Sequence, residues 1–89
     1  MERGMRMLDC IMCITNKGTL ERGRISGATW YTIDLIELKM RSGKRLTRYA
    51  VCVNGTWKTN QQMTKREARA EVQRMKEEAE QATYYAMNI

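Results

Sequence analysis

The segment from Thr64 to Met87, TKREARAEVQRMKEEAEQATYYAM, decides the fold. It opens on a capping box. The Thr64 hydroxyl is placed to accept the backbone N–H of Glu67, and the Glu67 carboxylate to reach back to the N–H of Thr64. From there Ala68, Val72, Met75, Ala79, Ala82 and Ala86 advance in steps of four and three, which sets them on one stripe of a helix. The positions between them hold Arg69, Glu71, Gln73, Arg74, Glu78 and Gln81, strong helix formers that water solvates. Nothing interrupts the run, because the chain has no proline and no glycine after Gly55. Such a helix is roughly 35 Å long at its usual rise per residue. Alone it is marginal, so its stability must come from whatever packs on the stripe.

Working back from the helix, the preceding residues supply a sheet. Asn54-Gly55 is the strongest hairpin signal, since both residues tolerate the positive φ of a type I′ turn. It joins a strand over Leu46 to Val53, with Tyr49, Val51 and Val53 facing inward, to a short last strand over Thr56 to Thr59. Arg41, Ser42, Gly43 and Lys44 make the turn before it. Thr29 to Met40 is the strongest strand. Its apolar residues change parity midway, from Tyr31, Ile33 and Leu35 to Ile36, Leu38 and Met40. A β-bulge near Leu35 and Ile36 unites both sets on one face and leaves Trp30, Thr32, Asp34, Glu37 and Lys39 outside; the rival is a strand buried on both faces.

Nearer the start, Met5 to Thr15 reads as a strand whose even residues, Leu8, Cys10, Met12 and Ile14, are the better core face. Asn16, Lys17 and Gly18 read as a turn, and Thr19 to Ser26 as a polar edge strand weakened by Gly23. The expected fold is therefore α+β: a single domain over residues 1–89, in which an antiparallel meander of four or five strands (1–63) is packed by one long C-terminal helix (64–87).

Composition narrows the function. An 89-residue chain builds one modest core, without room for a deep cleft between lobes. Phenylalanine is absent, and eight methionines, two tryptophans and four tyrosines supply the bulk. The net charge is +6 and uneven: residues 1–62 carry 11 basic against 5 acidic side chains, while residues 63–89 carry 5 of each. The excess lies outside the helix, and a polyanion or an acidic protein surface is the partner it suits; a surface kept soluble by charge is the plainer alternative. No signal peptide or membrane span is legible, because the apolar run Met7 to Ile14 is short and contains Asp9. A cytoplasmic location is expected, and three cysteines without a disulfide spacing agree with a reducing compartment.

Catalytic material is poor. There is no histidine, so imidazole-based triads and the usual neutral-pH general base are excluded. Cys10 and Cys13 form a Cys-x-x-Cys, but within a strand their Cα atoms stand roughly 10 Å apart on opposite faces. With Cys52 they make three thiols and lack a fourth zinc ligand, so small buried hydrophobes is the reading, with no metal and no cofactor. The basic cluster is the better signal: Lys39, Arg41, Lys44, Arg45 and Arg48 surround one hairpin turn with no acid among them. A ribbon with such a tip fits a DNA groove. Trp30 and Trp57 offer either a stacking surface or core filling, and Lys65 and Arg66, with Arg69, extend the patch at the helix start.

The succession of an aromatic strand (Trp30, Tyr31), a basic turn (Gly43, Lys44), a second strand, the Asn54-Gly55 turn, a third short strand and the helix opening Thr64-Lys65-Arg66-Glu67-Ala68 resembles the three-strand-plus-helix DNA-binding domains. These include the arm-site domains at the start of tyrosine recombinases. In outline it is also similar to the last three strands and final helix of double-stranded-RNA-binding domains. The likeness covers about two thirds of the chain. It implies a sheet entering the major groove, with Trp30, Lys39, Arg41, Arg45 and Arg48 near nucleic acid. Met63 departs from the aromatic common before that helix, and the first strand has no counterpart there. The RNA-binding family's first helix and paired lysines are missing.

The sequence thus leads to a small, basic, non-enzymatic nucleic-acid-binding accessory protein of bacterial or phage type. The alternative is a protein-binding inhibitor or adaptor, such as a phage protein that blocks a host enzyme. The alanine-rich helix end with Tyr84, Tyr85 and Met87, or an edge strand, offers a route to a homodimer.

Overall fold

A computed structural model describes residues 9–87, and in it four strands precede one helix. They are β1 (Ile11–Ser26), β2 (Thr29–Met40), β3 (Arg45–Val53), β4 (Thr56–Trp57) and α1 (Lys65–Met87). The strands form one antiparallel sheet in the order β1-β2-β3-β4, and α1 lies across one face. No helix among the described residues is long and apolar enough to cross a membrane.

The helix begins as its capping box requires. Thr64 N–H donates to Glu67 Oε1 at 2.9 Å, and Glu67 N–H donates to Thr64 Oγ1 at 3.1 Å. Thr64→Ala is expected to cost about 1 kcal/mol in urea unfolding, the usual worth of such a cap. Paired backbone hydrogen bonds between Met63 and Tyr49 tie the segment before the cap to the outer edge of β3. Ala68 and Val72 are buried against Tyr31, Ile33 and Val51, with Met75, Ile25, Tyr49 and Val53 around them. The lower half of the apolar stripe is thereby covered. Ala82, higher up, is exposed, so the helix outruns its sheet. The helix-mediated homodimer rested on Tyr84, Tyr85 and Met87, whose side chains lie outside the described residues. On the outer face Arg74 pairs with Glu71 and Glu78, which lifts its pKa and depresses that of Glu71.

Asn54 (φ 50°) and Gly55 (φ 84°) take the two positive φ values of a type I′ turn between β3 and β4. That hairpin is closed further by Asn54, whose Oδ1 accepts the N–H of Trp30 at 3.0 Å.

The first third of the chain departs from its expected form. Met5 to Met7 and Leu8 lie outside the described residues, and the strand starts at Ile11. Asn16–Gly18 is no turn: the ladder passes straight through it, and the two expected strands are one of 16 residues. That strand pairs with 12 residues of β2 because the register shifts four times, at Ile11/Cys13, Asn16/Gly18, Thr19/Glu21 and Arg24/Ser26. Each shift inserts one extra residue on β1 and resets its alternation. The even-face core therefore fails: Met12 and Ile14 are 65% and 43% exposed, Cys10 and Cys13 are exposed rather than buried, and Ile11 is the residue that packs inward.

The parity change in β2 has the same origin. The pairing of β2 with β3 is unbroken from Tyr31↔Val53 to Lys39↔Arg45, so β2 holds no bulge there. The bulge sits across from Leu35 and Ile36, on β1 between Asn16 and Gly18. Hence β2 is buried on both faces, with Tyr31 and Ile33 under the helix and Ile36 and Leu38 on the other side beside Ala50. Asp34, expected outside, is buried with them.

Candidate nucleic-acid interface

Direct partners across an antiparallel ladder share a face, so the register places every site residue. Lys39 and Arg45 are direct partners on the face that α1 covers further along. Arg41 and Lys44 stand in the turn between β2 and β3, which Gly43 completes at φ 93°. Arg48 pairs with Ile36 and so projects from the opposite face, where its Nη1 donates to the Thr47 carbonyl at 2.8 Å. Lys65 and Arg66 are exposed in the first turn of α1, beyond the edge of β3 beside Tyr49. Arg69 is engaged with Glu21 at 3.2 Å. The structure thus gathers Lys39, Arg41, Lys44 and Arg45 at one tip and sets Arg48, Lys65 and Arg66 around it on other surfaces.

The tip is held by Asp9, an acid more than thirty residues away from it in sequence. The Asp9 carboxylate accepts the Ser42 N–H at 3.0 Å and the Ser42 hydroxyl at 2.6 Å, and both bonds, with Lys44 nearby, hold its pKa below the ordinary value. Arg41 N–H donates to the Cys10 carbonyl at 2.7 Å, and Met40 N–H to that of Lys44 at 2.8 Å. Asp9 is spent on the turn backbone. Among the described residues, no ion pair reaches Lys39, Arg41, Lys44 or Arg45, and Glu37, next along the face of Lys39, makes none. Two cations directly opposite each other repel. An anion between Lys39 and Arg45 removes that penalty.

Trp30 lies elsewhere. It stands at the other end of β2, about 35 Å along the strand from the tip, and on the face away from α1. Its direct partner there is Arg24, and Arg22 pairs with Thr32 one step on. Trp57 pairs with Cys52, the partner of Thr32, and so reaches the same face from β4. Neither tryptophan fills the core: Trp30 is 46% and Trp57 44% exposed. Arg22 and Arg24 were legible only as residues of a polar edge strand. Their hairpin linkage to Trp30 was the available signal, and the bulges hid the face.

Beneath Trp57 sits Asp34, 7% exposed, accepting Asn16 Nδ2 at 2.9 Å, Thr19 Oγ1 at 3.4 Å and the Cys52 thiol at 3.3 Å. Burial alone would raise its pKa. Hydrogen bonds from Cys52, Asn16, Thr32 and Trp57 outweigh that and hold the carboxyl below its ordinary value. Burial, with the adjoining carboxylate, pushes the Cys52 thiol up to about 11. Cys52 is accordingly expected to alkylate about 100-fold more slowly than exposed Cys13 at pH 8, read by mass spectrometry of the native protein. No group of three metal-ligating His, Cys, Asp or Glu side chains forms among the described residues.

Comparison of the chain with family models, curated proteins and solved structures finds no match.

Proposed function

We propose that this chain is a small, non-enzymatic nucleic-acid-binding protein that grips phosphates with the tip between β2 and β3. One observation carries the reading: Lys39 and Arg45 face each other across the ladder, flanked by Arg41 and Lys44, with no carboxylate paired to any of them among the described residues. The run β2, β3, β4, α1 also keeps the strand and helix order on which the likeness to three-strand-plus-helix DNA-binding domains rests.

Four tip cations on four phosphates give a salt dependence of duplex binding with a log–log slope of about −3.6. Arg41→Glu with Arg45→Glu is expected to weaken duplex affinity about tenfold and to flatten that slope by about 2. Fluorescence anisotropy across a salt series measures both. Unchanged binding in the double variant overturns the proposal.

A second reading is a protein-binding inhibitor or adaptor. It is favoured by the outer edge of β1, which pairs with no further strand among the described residues and where Met12, Ile14 and Leu20 are each more than 40% exposed. Stoichiometric capture of one protein, abolished by Met12→Asp and lacking any nucleic-acid affinity, selects it.

A further inference from the structure

The face of the sheet away from α1 has an organisation that a phosphate-gripping tip does not use. Its register forms a row across all four strands, Arg22–Thr32–Cys52–Trp57, and beside it the pair Arg24–Trp30. The small Thr32 and Cys52 are buried between the two tryptophans, which stand at opposite corners with Cα atoms about 12 Å apart. These are the only tryptophans in a chain without phenylalanine, and folding leaves both nearly half exposed on one face.

Trp57 also stands beside a well-bonded part of the sheet. The carboxylate of Asp34, buried on that face, accepts from Asn16, Thr19 and Cys52 on the two flanking strands, and Cys52 is the direct partner of Trp57. Among the described residues the exposed charge on this face is of one sign: Arg22, Arg24 and Arg48 project from it, Arg22 and Arg24 are exposed without an ion pair, and the one carboxylate, Asp34, is covered. An uncharged aromatic ligand leaves those guanidinium groups idle, and a simple anion leaves the indoles idle. Bases on a phosphate backbone use both.

We infer that this face is a stacking platform for unpaired bases of a single-stranded nucleic acid, with Trp30 and Trp57 under two bases of the same strand and Arg22 and Arg24 on the backbone beside them. The inference rests on the nucleic-acid reading above and extends it to a second, strand-separated contact at the far end of the ribbon from the cationic tip.

Because Trp30 and Trp57 are the only tryptophans, emission excited at wavelengths that the four tyrosines do not absorb reports on this face alone. Titration of the full chain with oligo(dU) and with oligo(U), which differ only in the sugar, is expected to quench that emission saturably, and the tighter of the two identifies the sugar preferred. Trp30→Ala, which leaves the Asp34 donors untouched, is expected to weaken single-strand binding about tenfold or more, and Arg22→Glu with Arg24→Glu by a similar factor. Blunt duplex binding stays near the wild-type value in Trp30→Ala. Circular dichroism checks that each variant folds, and Trp57→Phe, which keeps a stacking ring, serves as the milder second variant. Single strands bound with unchanged emission, or bound equally by Trp30→Ala and wild type, overturn the platform while the tip reading stands. No affinity for any nucleic acid overturns both.

Discussion

Asp34→Ala is expected to lower the unfolding free energy by about 2–4 kcal/mol, a large fraction of what a domain of this size commands. The carboxylate is 7% exposed and is the shared acceptor for Asn16, Thr19 and Cys52. Deleting it leaves those donors facing a void in a region water enters poorly. The Asn16 contact matters beyond its own energy. Asn16 also accepts the Gly18 N–H at 2.8 Å, so the same side chain shapes the bulge and ties it to β2. Urea unfolding at pH 7 measures the loss, and a cost under about 0.5 kcal/mol would show the donors finding other partners. Asp34→Asn keeps one acceptor oxygen and is expected to cost less. The carboxyl's folded pKa lies below its unfolded value of 3.8, so its contribution is fully present above that pH. It is lost as the pH falls through the folded pKa. Wild-type stability should therefore fall on acidification by a component that Asp34→Asn lacks.

Gly23→Ala is expected to destabilise by about 1–3 kcal/mol, reversing the sign that strand propensity assigns to this change. A Cβ at Gly23 falls 2.8 Å from Tyr31 Cε1 and 3.0 Å from its hydroxyl. The ring has nowhere to go: it is 5% exposed, its hydroxyl donates to Glu21 at 3.1 Å, and Lys76 sits over its face 5.3 Å from the centroid. Burial and the Glu21 acceptor both raise the phenol's pKa, so it remains a donor across the neutral range. Displacing it loosens Glu21 from Arg69 and the helix from the sheet. A parallel Gly27→Ala is no substitute control, because Gly27 holds φ 48° in the turn and fails for a different reason. The matched control is Tyr31→Phe with Gly23→Ala, which removes the closest polar contact and should recover part of the loss. Equal or greater stability of Gly23→Ala alone would mean that the ring yields freely.

Read from residues alone, the chain discloses the elements that local chemistry dictates. Thr64 and Glu67 cap the helix because the bonds close within one turn, and Asn54-Gly55 makes its hairpin because few other residue pairs take two positive φ values. The stripe from Ala68 to Met75 finds its sheet, and the basic residues nearest the Arg41–Lys44 turn gather because a two-stranded ribbon has to bring them there. What the tertiary structure alone decided lies in β1. Alternation predicts a face only while the register holds, and four inserted residues break it, which misassigned Met12, Ile14, Cys10 and Cys13 and split one strand at Asn16–Gly18. An inserted residue is a relation between two strands, invisible in either one. For the same reason β2 needed no bulge of its own, Asp34 moved from surface to interior, and Trp30 joined Arg24 and Trp57 instead of the cationic tip.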